Sequence, residues 1–254
     1  MQIANSTIVI TGGAQGLGLA MASHFAADGA KLALIDMNAE TLAAAEQQCL
    51  AQGAKQVRGY LVNVTDEAAV EQVFADINQA FGSIDVLINN AGILRDGLLI
   101  KMKDGEITQK MPLQQFQSVL DVNLTGSFLC GREAAAHMAK AGKGGVIINI
   151  SSVARAGNMG QTNYAATKAG VVAMTVTWAR ELGRFGIRCG AIAPGFIETP
   201  MTATMKPEAI ERALSMVPLR RWGQPEEIAH SARYIIENDF FSGRVVEIDG
   251  GVRL

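Results

Sequence analysis

The sequence predicts an α/β fold, a doubly wound and mainly parallel sheet of seven strands with helices on both faces. Three observations predict it. Short apolar runs alternate with segments of helical spacing along all 254 residues. The runs are continuously apolar, as strands covered on both faces are. The first of them passes through a glycine-rich turn straight into a helical segment. Right-handed crossovers between such strands make the sheet doubly wound, and ligands bind such sheets outside the carboxyl ends of the strands.

In order, Thr7 to Ile10 is the first strand, and Leu17, Ala20, Met21 and Phe25 give the first helical face, closed by Gly29. Lys31 to Ile35 is a second strand ending at Asp36. An Ala- and Glu-rich helix follows over 39–51. Gln56 to Val62 is the third strand. Val70, Val73, Phe74 and Ile77 mark a helix that Thr65 is placed to cap, with Asp66 and Glu67 favourable in its first turn. Ile84 to Ile88, Gly145 to Ile150, Ile187 to Ala193 and Arg244 to Ile248 complete the seven. Leu99 to Lys110 reads as a hairpin turning at Asp104-Gly105. Pro194 to Pro225 holds five of the six prolines and reads as a lid or substrate loop over 196–224, or else as a surface excursion.

Length and 49% hydrophobic content suit a single domain over 1–254, without repeat or linker. A net charge of -2 with no long basic run gives nucleic acid no electrostatic footing. No run reaches the roughly 18 apolar residues of a membrane span, and the N-terminal segment lacks a basic region before its apolar run, so a cytoplasmic protein is expected. Cys49, Cys130 and Cys189 read as reduced thiols. His24, His137 and His230 have no ligand-like spacing, so no metal site is expected.

Candidate site residues cluster at strand ends. Thr11-Gly12-Gly13-Ala14-Gln15-Gly16-Leu17-Gly18 is a T-G-x-x-x-G-x-G turn, longer than G-x-G-x-x-G, between a strand and a helix. Backbone N–H groups there can approach a pyrophosphate. Asp36 ends the second strand. Its carboxylate can accept hydrogen bonds from ribose hydroxyls and repels a 2′-phosphate, so NAD(H) is expected over NADP(H); an aspartate there equally suits a helix N-cap. Asn89-Asn90-Ala91-Gly92 and Ser151-Ser152 end two further strands, and Asn123 interrupts a helical pattern. Tyr164 and Lys168 are four apart, so a helix places them on one face. An ammonium beside a phenol favours the phenolate, which suits proton transfer near neutral pH. Taken singly, each has an ordinary reading as a cap, a turn or a surface side chain.

Together, Thr11-Gly12-x3-Gly16-x-Gly18, Asn89-Asn90-Ala91-Gly92, Asn123, Ser152, Tyr164-x3-Lys168 and Pro194-Gly195 resemble the short-chain dehydrogenase/reductase family over essentially the whole chain. The resemblance implies a Rossmann enzyme that interconverts a carbonyl and an alcohol with NAD(P). It makes Tyr164 the general acid/base, and Lys168 the residue that binds the nicotinamide ribose and lowers the Tyr164 pKa. Ser152 would polarise the carbonyl, and Asn123 would steady a water in a proton relay. Gly12, Gln15, Gly16, Leu17, Gly18, Asp36, Asn90, Ala91, Gly92, Pro194 and Gly195 would hold the cofactor. Asn63 and Val64 would flank the adenine, and Ile197 and Thr199 would meet the carboxamide. The chain departs from the family pattern twice. Asn63 stands where many members carry Asp, and the loop before Tyr164 is one residue short, so counting back thirteen lands on Ser151 instead of Ser152.

Residues 163–170 resemble bacterial 3-oxoacyl-carrier-protein reductases and acetoacetyl-CoA reductases. The C-terminal segment and the hairpin resemble type II 3-hydroxyacyl-CoA dehydrogenases. These resemblances imply a 3-oxoacyl or 3-hydroxyacyl thioester substrate in fatty acid metabolism, on CoA or an acyl carrier protein. Carrier-protein reductases usually use NADPH, against which Asp36 argues. Lys140, Lys143, Arg184, Arg220 and Arg221 are candidates for a carrier-docking patch; Phe196, Met201, Met205 and Met216 are candidates for an acyl pocket. Family members commonly form tetramers through two long helices, here 114–139 and 162–184, so a homotetramer is expected. The alternatives are a steroid or other secondary-alcohol dehydrogenase and a non-catalytic NAD-sensing scaffold.

Overall fold

A computed structural model describes residues 1–199, 202 and 207–253. In chain order the elements are β1 (Thr7–Thr11), α1 (Gly16–Ala26), β2 (Lys31–Asp36), α2 (Ala39–Ala51), β3 (Gln56–Leu61), α3 (Glu67–Phe81) and β4 (Val86–Asn89). Then come β5 (Ile100–Lys103), β6 (Glu106–Lys110), α4 (Leu113–Leu120), α5 (Gly126–Ala141), β7 (Gly145–Ile150), α6 (Thr162–Leu182), β8 (Ile187–Pro194), α7 (Pro207–Met216), α8 (Pro225–Glu237) and β9 (Arg244–Ile248).

Seven parallel strands form one sheet in the order β3-β2-β1-β4-β7-β8-β9. The alternation of side chains along each strand feeds two cores. Ile8 and Ile10 of β1 face α1, α2 and α8, where Met21, Phe25 and Ile235 are fully buried. Val9 faces the other way, onto Val70, Phe74, Leu129 and Met138 of α3 and α5. Fully burying side chains of this size contributes roughly 1.5–3 kcal/mol each, which fixes the register of β1 from both sides. The chain reverses its winding direction between β1 and β4, and the crevice above those two strand ends is where such a sheet takes ligands.

Three local readings are corrected. The N-cap of α2 is Asn38, whose side chain accepts from the Glu40 and Thr41 amides, and not Asp36. That of α3 is Asp66, which accepts from Ala69 N, and not Thr65. The caps lie two residues and one residue nearer the first turn than expected. The long helix over 114–139 is not one α-helix: α4 and α5 are joined by a π-helical turn at Asp121–Thr125. An inserted residue widens that turn, and such bulges gather at functional sites.

β5 and β6 pair antiparallel around Asp104 (φ 52°) and Gly105 (φ 83°), the positive-φ pair of a tight hairpin turn. All nine hairpin strand residues are exposed. Of the proposed lid, α7 is described, whereas Met201 and Met205 lie outside the described residues. No described helix is long and apolar enough to cross a membrane.

Candidate active site

One cleft of about 610 Å³ runs along the carboxyl ends of the strands, within the roughly 300–1,000 Å³ typical of ligand sites. Of the residues to which the resemblance gives a catalytic or cofactor role, all but Gly18 and Asn123 line it.

At one end lies the glycine turn. Gly12 (φ 61°) and Gly16 (φ 54°) occupy left-handed backbone that side chains rarely adopt. A Cβ on Gly18 would stand 2.0 Å from Gly12 O, so Gly18 acts by letting the turn close, not by facing the cleft. Gln15 caps α1 without a side-chain hydrogen bond, which leaves the first amides of that helix free for an anion. Thr11 Oγ1 accepts from Asn90 N and Ala91 N at 3.0 and 3.1 Å. Asn90 Nδ2 returns the tie to Thr11 O and Gly12 O. These bonds lock the ends of β1 and β4 side by side. Asp36 closes this end. Its carboxylate accepts from the amides of Ala14 (3.1 Å), Met37 (2.7 Å) and Asn38 (3.3 Å), which fix it at the rim. Lys168 is the one basic residue along the described lining, and it lies at the far end. Asn63 lines the cleft with its Oδ1 already accepting from Thr65 N.

At the other end, Lys168 is 4% exposed and donates from Nζ to Ile150 O at 2.7 Å, 5.5 Å from the centroid of the Tyr164 ring. Burial pulls its pKa down to about 8. Tyr164 is pushed up to about 12, chiefly by burial; a hydrogen bond with Ser152 pulls the other way, and the Asp96 carboxylate adds to the rise. The ammonium is turned to a carbonyl, and desolvation dominates the phenol.

The two serines part company. Ser151 Oγ donates to Lys168 O at 2.7 Å and is buried. Ser152 is half-buried, faces Tyr164 and accepts from Ala154 N at 3.1 Å. Asn123 is fully buried in the π-turn, its Oδ1 accepting from Ile93 N (2.8 Å) and its Nδ2 donating to Ile93 O (3.1 Å). Its side chain clamps the Ile93 backbone beside the cleft.

The sequence reading missed Thr11, Asp96, Asn158, Gln161 and Asn163 as working parts. Asn163 is fully buried in the first turn of α6, donates to Arg95 O at 2.9 Å and accepts from Tyr164 N at 2.8 Å. The only available signal was a polar residue directly before Tyr164. Pro194 and Gly195 bring β8 to the cleft floor, where a Cβ on Gly195 would be 2.7 Å from Asp249 Cα. Phe196 meets Trp222 edge to face at 5.8 Å.

The expected docking patch is partly spent. Arg221 pairs with Glu227 through two bonds of 2.9 and 2.6 Å, and Arg220 donates to Ser215 O. His24 and His230 pack at 5.1 Å, but no group of three metal ligands converges among the described residues. The three thiols are buried, with pKa values pushed up to about 11 (Cys49) and about 12 (Cys130, Cys189).

A dinucleotide fits these residues: a glycine cradle that a Cβ would fill, free helix amides, and a carboxylate at the rim. A family model described as Enoyl-(Acyl carrier protein) reductase matches residues 12–253. The chain is 42% identical to a 3-oxoacyl-[acyl-carrier-protein] reductase of Thermotoga maritima, with 99% of each chain covered. It is 40% identical to the protein of that name from Synechocystis, covering 96% of this chain and 95% of the other. Among solved structures, a levodione reductase superposes with a TM-score of 0.88 at 35% identity, covering 98% of this chain and 97% of that one.

Proposed function

The chain belongs to the short-chain dehydrogenase/reductase family, and from that premise we propose that it transfers hydride between NAD(H) and carbon 3 of a 3-oxoacyl or 3-hydroxyacyl thioester. One observation carries the reading. Tyr164, Ser152 and Lys168 meet at one end of a cleft whose other end is the glycine turn and Asp36. The two relatives named for 3-oxoacyl-carrier-protein reduction support the substrate class.

When bound, a reduced nicotinamide supplies hydride to the carbonyl carbon. The protein's part is the proton and the field. Ser152 donates a hydrogen bond to the carbonyl oxygen and holds it towards Tyr164. As negative charge grows on that oxygen, the Tyr164 O–H bond breaks and the proton passes to it, leaving a phenolate. Lys168, while charged, would stabilise that phenolate, its Nζ lying 5.5 Å from the centroid of the Tyr164 ring, and would offer a donor to the ribose. Gly12, Gln15, Gly16 and Leu17 would hold the pyrophosphate by backbone amides. Asn90, Ala91 and Gly92 would lie along a ribose, Asn63 and Val64 would flank the adenine, and Ile197 and Thr199 would meet the carboxamide.

Asp36 makes NADH the preferred cofactor. A fixed carboxylate at the ribose end repels a 2′-phosphate, and no basic side chain along the described lining answers it there. Self-association is proposed through α6, where Ala169, Ala173 and Val176 form an exposed stripe of small apolar residues. Light scattering at micromolar concentration should give a tetramer mass; a monomer contradicts it.

The testing experiment compares NADH with NADPH on acetoacetyl-CoA and on an acyl-carrier substrate, beside secondary alcohols and steroids. NADH-linked turnover of the thioesters is expected. Turnover of alcohols or steroids alone would replace the substrate class, and no spectral change with any compound would leave a binding protein.

A further inference from the structure

The strap from Ile93 to Gly97 is pinned by its backbone. Asn123 closes on Ile93, while Asn163 and Gln115 both donate to Arg95 O at 2.9 Å. Gln115 also donates to Asp96 O at 3.1 Å, and Gly97 N donates to Gly160 O at 2.8 Å. A strap held at Ile93, Arg95, Asp96 and Gly97 fixes the direction of the side chain at 96. Asp96 lines the cleft on the Tyr164 side.

Its described partner is neutral. Gln161 Nε2 donates to both carboxylate oxygens, at 3.3 and 3.1 Å. Asn158 Nδ2 in turn donates to Gln161 Oε1 at 3.0 Å, which turns the amide so that its N–H groups face the acid. An amide hydrogen-bonds a carboxylate without cancelling its charge. Neighbouring Arg95 is directed to Leu94 O, and Lys168 to Ile150 O. Among the described residues no cation pairs with Asp96, so the substrate end of the cleft holds an oriented negative charge. It is close enough to Tyr164 to oppose the phenolate there. A free 3-oxo acid carries its carboxylate two carbons from the carbonyl that Tyr164 protonates, so it brings a second negative charge into the same field.

We propose that Asp96, oriented by Gln161 and Asn158, is a specificity-determining residue that turns away 3-oxo acids with a free carboxylate and leaves neutral 3-oxo thioesters and esters to react at Tyr164. The inference rests on the thioester reading above.

The test compares acetoacetate with the neutral thioester S-acetoacetyl-N-acetylcysteamine, under saturating NADH, at low and high salt, in wild type, Asp96→Asn and Asp96→Glu. Wild type is expected to favour the thioester in kcat/KM. Asp96→Asn should raise the acetoacetate-to-thioester ratio about tenfold or more, chiefly through KM, because like-charge juxtaposition is relieved. Asp96→Glu keeps the charge and should stay near wild type. Added salt should raise the ratio in wild type and not in Asp96→Asn, since an exposed charge is screened. Should Asp96→Asn fail to fold, the wild-type salt series decides. A ratio that neither salt nor Asp96→Asn moves overturns the inference while thioester turnover stands. A wild type that reduces no thioester overturns both this inference and the function it rests on.

Discussion

At the Asp36 end of the cleft the backbone shapes the site, whereas at the Tyr164 end side chains from distant segments shape it. The first end needs Gly12, Gly16 and Gly18 within one turn, and a Cβ at any of them meets strained backbone or a neighbouring atom. The second needs Asn123 on Ile93, Asn163 on Arg95 and Gln161 on Asp96, bonds that span 30, 68 and 65 residues of chain. Backbone shape tolerates no added atom. A side-chain clamp can lose one bond and keep its course.

That contrast can be broken from either side. Tyr164→Phe should produce the largest effect: kcat falls by about 10³-fold or more, because general acid catalysis is worth roughly 10²–10⁴, while titrated NADH binding stays within about twofold. Weakened NADH binding would show that the two ends are not separable. Gly18→Ala should act in the opposite place. With Gly12 O at 2.0 Å from the new Cβ, the turn must open. NADH affinity falls by about tenfold or more, and overpacking of about 1–3 kcal/mol lowers Tm by roughly 3–10 °C. An unchanged melting curve would show that the turn yields.

Asp36→Ala should shift the NADH-to-NADPH ratio of kcat/KM by about tenfold towards NADPH, by removing the repulsion of a 2′-phosphate. A ratio that stays put removes Asp36 from cofactor choice. Asn163→Ala is milder. Arg95 O keeps Gln115 as a donor, so about 1 kcal/mol of stability is lost. The carbonyl substrate loses several-fold in kcat/KM through the loosened strap, with NADH binding unaffected. Equal losses for both ligands would mean Asn163 serves the whole fold. Smallest of all, replacing Ile100–Lys110 by a short glycine link should change stability by no more than about 0.5 kcal/mol, since every strand residue there is exposed. A collapse in melting temperature would reveal a packed role.

The same contrast explains what the sequence displays. Strands β2 and β7 lie where apolar runs put them, because burial on both faces writes itself into consecutive residues, and helix α2 lies where helical spacing puts it. The glycine turn is equally local. The strap is not: nothing near Asp96 in sequence announces that Gln161 will meet it, and Thr11 looks like any strand-end threonine until Asn90 and Ala91 arrive 79 and 80 residues later. Cap residues went astray by short steps, from Asp36 to Asn38 and from Thr65 to Asp66, since several adjacent polar residues all qualify. The choice between Ser151 and Ser152 needed the fold, which spends the Ser151 hydroxyl on Lys168 O.

The proposed reaction turns on a proton donor, Tyr164, supported by a charged Lys168. It is tested most directly by the pH dependence of kcat/KM for NADH-driven reduction of acetoacetyl-CoA between pH 6 and 10. The Lys168 pKa is lowered to about 8, so the residue is charged below that pH and neutral above it, whereas Tyr164, at about 12, keeps its proton throughout. Reduction should therefore hold steady at low pH and fall along a single-proton limb through about pH 8. A rate that stays level to pH 10, or no reduction at any pH, would contradict the account.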